Sequence, residues 1–221
     1  MRLIFATNNK HKMSEIKAIL PSNYRNYTFS LHDLNISIDP NENGNSFEEN
    51  ANIKSTATYF ALRNNKQLNI GDYIIADDTG LSIDFLNGEP GIHSARFLGD
   101  VSQIEKNKKI IDLMKDTKDN ERTAHFITKL SVLEISIGKY LIDIPKSMIF
   151  EGRVDGYISK DLIGDDGFGY DPIFAIGEPS DIVKGKVKTY SGLGQEKKNQ
   201  ISHRAIAIKA FTNYLEKKQN I

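Results

Sequence analysis

Two adjacent carboxylates, Asp77 and Asp78, follow the apolar run Tyr73–Ala76 and precede Thr79-Gly80. Apolar residues without alternation suggest a strand buried on both faces. Asp-Asp-Thr-Gly is expected to break that strand at its C-terminal end, where open α/β sheets bind ligands. Two acidic groups there suit Mg²⁺, which takes oxygen ligands, or one can serve as a general base. Asx side chains also satisfy turn amides, so this stretch alone leaves both readings open.

Cationic and aromatic residues cluster elsewhere in the chain. Thr7-Asn8-Asn9-Lys10-His11-Lys12 joins a short apolar run to a helical pattern, which places free helix N–H groups and Lys12 where an anion can sit. The Gly-rich GxxxxGK pattern of a Walker loop is missing, and a plain Thr/Asn cap with surface lysines fits the same residues. In Gly167-Phe168-Gly169-Tyr170-Asp171-Pro172, glycines flank two aromatic residues beside a carboxylate, a pattern suited to stacking on a flat base and bonding its edge. Lys197, Lys198, His203 and Arg204 fall near the start of the last helical segment. Cations there oppose the helix dipole, which favours an anion binding among them.

The elements that position these residues follow from periodicity. Arg2–Ala6 reads as a first strand, and Met13, Ile16, Ile19 and Leu20 recur at helical spacing from Lys10 to a stop at Pro21. Tyr27–Leu31 and Ile36–Ile38 are short strand candidates. Ser46 and Glu49 form a capping box for a helix to about Arg63, with Phe47, Ala51, Ala57, Phe60 and Ala61 inward and Lys54 near that stripe. Leu81–Phe85 reads as a separate short strand. Gln103–Lys115 reads as a helix with Ile104, Ile111 and Met114 inward. Arg122–Ile137 is strand-like, Gly138-Lys139 signals a hairpin into Tyr140–Ile144, and Met148–Ile158 is a strand whose Gly152 and Gly156 suggest bulges or close backbone approach. The last segment is expected to be helical from about Lys198, with Ile201, Ala205, Ile208, Phe211 and Leu215 as its core stripe.

At 221 residues the chain fits a single domain spanning 1–221, large enough to bury its own core. It has no cysteine, which excludes disulfides, thiolate metal sites and Cys nucleophiles. Lys plus Arg and Asp plus Glu number 29 each, so no basic field suggests a stable nucleic-acid partner. No apolar run at the N-terminus is long enough for a signal core or a membrane span, and a soluble cytoplasmic protein is the expected class.

Six spaced segments then occur together: Thr7-Asn8-Asn9…Lys12, Glu42-x-Gly44-x-x-Phe47-x-Glu49-Asn50-Ala51-x-x-Lys54, Ala76-Asp77-Asp78-Thr79-Gly80-Leu81, Gly88-x-Pro90-Gly91-Ile92-x-Ser94-Ala95-Arg96, Gly167-Phe168-Gly169-Tyr170-Asp171-Pro172-x-Phe174 and Ile201-Ser202-His203-Arg204. In this order they resemble the inosine triphosphate pyrophosphatase family, also called the dITP/XTP pyrophosphatases, over almost the whole chain. The resemblance implies an elongated α/β fold, a mixed sheet with flanking helices and two lobes around a central nucleotide cleft. It implies a Mg²⁺-dependent homodimer that hydrolyses non-standard purine nucleoside triphosphates to the monophosphate and pyrophosphate.

Carried over residue by residue, it implies phosphate binding by Thr7, Asn8, Asn9, Lys10, His11 and Lys12, with Lys54 adding positive charge. Glu42 and Asp78 would hold Mg²⁺, and Asp78 would accept the proton of the attacking water. Thr79 would touch the nucleotide, Phe168, Gly169, Tyr170 and Asp171 would hold base and sugar, and Lys198, His203 and Arg204 would close over base and phosphates. Donors from His203 or Arg204 would meet O6 of hypoxanthine or xanthine, where adenine presents a donor of its own. Asn8 stands where the family pattern has glycine; Asn tolerates a positive φ better than most residues. Thr79 keeps the hydroxyl of the usual serine. The rival expectations are a related house-cleaning pyrophosphatase for modified pyrimidine nucleotides and a non-catalytic nucleotide sensor.

Overall fold

The computed structural model describes residues 1–136, 144–164 and 167–219. Among the described residues seven strands form one mixed α/β sheet with flanking helices. The strands are β1 (Leu3–Phe5), β2 (Thr28–Ser30), β3 (Tyr73–Ile83), β4 (Thr123–Glu134), β5 (Met148–Ile158), β6 (Phe174–Ile176) and β7 (Lys188–Thr189), in the order β2-β1-β3-β4-β5-β6-β7. β1 pairs in parallel with both β2 and β3, whereas β5–β6 and β6–β7 are antiparallel. The chain divides into two compact units, Met1–Asp78 with Thr128–Gly152 and Arg204–Ile221, and Thr79–Ile127 with Arg153–His203.

In the first unit, strand alternation sorts the core into two layers. Leu3 and Phe5 of β1, Tyr73 and Ile75 of β3 and Leu130 and Val132 of β4 pack on Met13 and Ile16 of the Lys10–Ile19 helix. Ala207, Ile208, Phe211 and Leu215 of the His203–Gln219 helix complete this layer. Ile4, Ile74 and Leu133 point the other way, onto Tyr59 and Leu62 of the Phe47–Asn64 helix. Parallel pairing demands such crossovers, and here the β1-to-β2 helix and the β2-to-β3 helix cover opposite faces. β1 therefore marks the point where the strand order reverses, and the carboxyl end of β1 beside β3 is where this architecture opens a ligand site.

The second unit packs Leu81 and Ile83 of β3, Ala124 and Phe126 of β4, and Ile158 of β5 against Ile110, Met114, Tyr170, Ile173, Phe174 and Tyr190. Arg122, 1% exposed, is its buried staple: three of its guanidinium nitrogens donate to the carbonyls of Ile158 (2.7 Å), Met114 (2.6 Å) and Ser159 (2.8 Å). Gly156 is a true close approach, because a Cβ there would lie 2.2 Å from the Ala175 carbonyl oxygen.

Several expectations change. β3 does not break at Asp77–Gly80 but runs unbroken to Ile83, so Leu81–Phe85 is its continuation and then a 3-10 turn, Asp84–Leu86. No proline removes a ladder donor, and β4 flanks β3 on the side away from β1. Ile36–Ile38 is not a strand. Asp33 accepts bonds from the Ser30 N–H and hydroxyl, both at 2.8 Å, and the chain turns through His32–Leu34 instead. The Phe47–Asn64 helix buries Ala51, Ser55, Thr58, Tyr59 and Leu62, while Phe60 is 40% exposed. Its capping box is half formed: Ser46 Oγ accepts from the Glu49 N–H, but the Glu49 carboxylate takes the N–H of Asn45. The next helix spans Gln103–Leu113 and turns Ile104 outward at 59% exposure. The C-terminal segment is two helices, Gln195–Ile201 and His203–Gln219, parted by an extended Ser202. The expected hairpin at Gly138-Lys139 and the start of its second strand lie outside the described residues. Among those described, no helix is long and apolar enough to cross a membrane.

Candidate functional site

The first unit builds its site at the carboxyl end of β1. The Ala6 N–H still donates to the Ile75 carbonyl (2.8 Å), after which the chain leaves the sheet. Thr7 Oγ1 accepts the Asn9 N–H, and Asn9 caps the Lys10–Ile19 helix by accepting the Lys12 N–H, both at 3.1 Å. Positive φ among the described non-glycine residues falls at Asn35, Lys66, Asn87 and Leu98. Asn8 is not one of them, so the turn does not need the left-handed tolerance expected of it. The turn fixes Lys12 in the first helical turn, with its ammonium 3.1 and 3.3 Å from the two oxygens of Asp77.

Since β3 continues through the acidic pair, Asp77 and Asp78 point to opposite faces of the sheet. Asp77 shares the face of Tyr73 and Ile75, beneath the Lys10–Ile19 and His203–Gln219 helices. There it meets Lys12 and Arg204 Nη2 (3.3 Å), and the other terminal nitrogen of Arg204 donates to Glu15. Asp78 shares the face of Ile74 and meets Lys54 of the Phe47–Asn64 helix at 3.0 Å. The Lys54 ammonium also holds Glu42 at 2.9 Å. The loop carrying Glu42 is anchored two residues on, where Gly44 N–H donates to buried Asn50 (2.9 Å) and a Cβ would lie 2.7 Å from Glu49 Cβ. Thr7, Asn8, Asn9, Lys12, Glu42, Lys54 and Asp77, with Asp39 and Pro40, line a cavity of about 280 Å³.

The two aspartates are electrostatically unlike. Burial alone would raise the pKa of Asp77, but Lys12, Arg204 and Lys54 overcome it and hold the carboxyl far below its usual range. Asp78 is shifted upward: burial leads, Lys54 opposes it, and Glu42 and Asp77 add to the rise. Lys54 would be lowered by burial, yet Asp78, Asp77 and Glu42 raise it. Asp78 Oδ2 is buried and takes no hydrogen bond from the described residues.

Among the described residues no group of three or more acidic or imidazole side chains forms a ready metal cage. Mg²⁺ needs none, since it commonly takes one or two carboxylates and completes its shell with water and phosphate. One ammonium within 3.0 Å of both Glu42 and Asp78 shows that these carboxylates converge on a single cation-sized position. The unpartnered Asp78 oxygen supplies a further lone pair, so the donor set fits that ion.

The second unit gathers the remaining candidates. Lys198 Nζ donates to Asp171 Oδ2 at 2.6 Å in a pair only 4% and 2% exposed, and the same oxygen accepts the Phe168 N–H at 2.7 Å. The ring of His203 stacks on Phe126 at 4.5 Å and 17°. Phe168 is half-buried and Thr79 partly buried. Tyr170, expected among the residues that hold base and sugar, is instead 5% exposed in the apolar core and donates its hydroxyl to the Ser94 carbonyl at 2.8 Å. Lys10 and His11 are exposed on the first helical turn. Sequence reasoning passed over Glu15, although its position four residues before Ile19 sets a carboxylate on the buried helix face.

The Ham1 family model matches residues 3–214. A Bacillus subtilis (strain 168) protein named dITP/XTP pyrophosphatase is 40% identical over 217 residues, covering 96% of each chain. One of the same name from Leuconostoc mesenteroides is 38% identical over 211 residues, covering 94% of this chain and 93% of its own length. The solved structure of the Staphylococcus aureus Ham1 protein superposes with a TM-score of 0.76 at 35% identity, over 99% of this chain and 100% of that one. A fold, an ordered set of motifs and full-length similarity agree: this chain belongs to the Ham1 family.

Proposed function

We propose that this chain hydrolyses non-standard purine nucleoside triphosphates, dITP or ITP and XTP or dXTP, to the monophosphate and pyrophosphate. The observation that carries the reading is the pairing of Asp78 with Glu42 through one Lys54 ammonium, beside the Lys12 turn. Relatives named dITP/XTP pyrophosphatase support the substrate class. Removal of aberrant purines from a cytoplasmic nucleotide pool, by a homodimer, completes the proposal.

Thr7–Lys12 offers helix N–H groups and the Lys12 ammonium to phosphate oxygens. The carboxylates of Glu42 and Asp78 would repel a bare triphosphate, which favours a Mg²⁺ requirement. When bound by Glu42 and Asp78, Mg²⁺ supplies counter-charge for the phosphates. Asp78 accepts the proton of the water that attacks the α-phosphorus. Asp77, held ionised by Lys12 and Arg204, keeps both cations in place. Phe168, Gly169, Asp171, Lys198 and His203 recognise base and sugar, with Thr79 against the nucleotide.

Pyrophosphate release from ITP, dITP, XTP, ATP and GTP, each with Mg²⁺ and with EDTA, tests the proposal. Turnover of ITP and XTP well above ATP, lost in EDTA, is expected. Orthophosphate as the product, or ATP turned over as fast as ITP, would sink it.

A further inference from the structure

The Gly88–Arg96 loop and the buried polar face of the Gln103–Leu113 helix have no part in the chemistry above, yet they meet. Lys106 is 6% and Asn107 2% exposed. Lys106 Nζ donates to the Ala95 carbonyl at 2.8 Å. Asn107 Nδ2 donates to the Gly169 carbonyl at 3.1 Å, and its Oδ1 accepts from Gln103 Nε2 at 3.1 Å. The Tyr170 hydroxyl donates to the Ser94 carbonyl at 2.8 Å. Ser94 Oγ in turn accepts the Leu81 N–H at 2.9 Å.

One helix face thus holds the backbone of two loops through neutral carbonyls. Burying an ammonium and an amide this way is costly compared with a packed Leu; what the polar face supplies is a fixed orientation for the Ala95 and Gly169 carbonyls. Gly169 has φ +67° and no atom within 4 Å of where a Cβ would sit, so side-chain packing does not fix the loop there. We propose that Asn107 is a positioning residue for nucleobase recognition, setting Phe168 and Asp171 through the Gly169 carbonyl, while Lys106 ties the 88–96 loop to the same helix through the Ala95 carbonyl. The proposal rests on the reading of Phe168–Asp171 as the base and sugar segment.

Asn107→Asp keeps the side-chain shape but sets an oxygen against the Gly169 carbonyl, and Asn107→Ala removes the donor without repulsion. Both are assayed on ITP beside Phe168→Ala, with folding followed by urea denaturation. The expected result for either folded Asn107 variant is a KM for ITP raised about tenfold, the loss of one buried hydrogen bond. kcat should stay within about twofold, and inhibition by added pyrophosphate, which reports the phosphate side, should not change. An unchanged KM in the Asn107 variants beside a raised KM in Phe168→Ala overturns the positioning role and leaves Asn107 a structural brace. An unchanged KM in Phe168→Ala overturns the base-segment reading, and the proposal with it.

Discussion

Neutralising Asp77 and Asp78 one at a time should give opposite phenotypes, although the residues are neighbours. Asp77 receives Lys12 at 3.1 and 3.3 Å and Arg204 at 3.3 Å. Removing one member of a buried ion pair costs about 3–5 kcal/mol. Three features reduce that here: Asn retains an acceptor oxygen, Arg204 keeps Glu15, and the Lys12 side chain is 22% exposed and can rehydrate. Asp77→Asn should therefore lose about 2 kcal/mol, or about 4–8 °C in Tm for a chain of this size. With Lys12 less well placed, KM for ITP should rise while kcat stays within about tenfold. Asp78→Asn should stay within about 1 kcal/mol of the parent, because a buried carboxyl shifted upward gains little from being ionised and Asn still accepts from Lys54. Its kcat should fall about 10³-fold with the loss of the base, while ITP binding persists. Urea denaturation of the apo-proteins and steady-state pyrophosphate release decide the matter. Equal stability losses, or turnover surviving in Asp78→Asn and vanishing in Asp77→Asn, would refute the division of roles.

The pH dependence carries the same sign. Asp77, depressed in the folded chain, contributes stability that is present above its unfolded pKa of about 3.9 and is lost as pH falls below it; Asp77→Asn should flatten that acid limb in urea midpoints taken from pH 6 to pH 2. Lys54→Met removes the ammonium between Glu42 and Asp78, so Mg²⁺ binding without nucleotide should tighten by calorimetry while turnover drops about 10²-fold. Arg204→Ala leaves Glu15 and Asp77 without their shared partner and should cost about 3 kcal/mol; the ITP-over-ATP preference, measured in the same preparation, should narrow if Arg204 also reads the base. Gly156→Ala drives a methyl into the Ala175 carbonyl and should destabilise by about 3 kcal/mol or prevent folding, as expression and urea curves will show.

Local chemistry was legible wherever its partners lie within a few residues. The Asn9 and Ser46 caps, the buried start of β3 and the stripe of Ala205, Ile208, Phe211 and Leu215 all follow from spacing. The six ordered motifs include Lys12, Glu42, Lys54, Asp77 and Asp78, which the structure joins in ion pairs. What escaped depends on distant partners. Ser55 looks like a surface residue until Ser131, 76 positions away, meets its hydroxyl at 2.7 Å, and so the Phe47–Asn64 helix was phased on Phe60. Glu15 and Asn107 are polar residues whose burial is set by Arg204 and by the Gly169 carbonyl. Thr79-Gly80 carries turn chemistry by composition, and only a neighbouring strand can keep such a segment extended.

That extension makes the register of β3 part of the chemistry. Leu3 lies opposite Tyr73 and Phe5 opposite Ile75, an alignment that decides which carboxylate meets which cation. A slip of one residue in one direction would bring Asp78 to Lys12 and Arg204 and leave Lys54 facing Thr79. A slip in the other would turn Asp77 toward Lys54 and set Ala76 before two unmatched cations. The same atoms would be present in either frame, but the first would leave Lys54 without a carboxylate from β3 and the second would leave Lys12 without one. The apolar contacts of β1 with β3 thus act as the alignment key that sets Asp77 before Lys12 and Asp78 before Lys54.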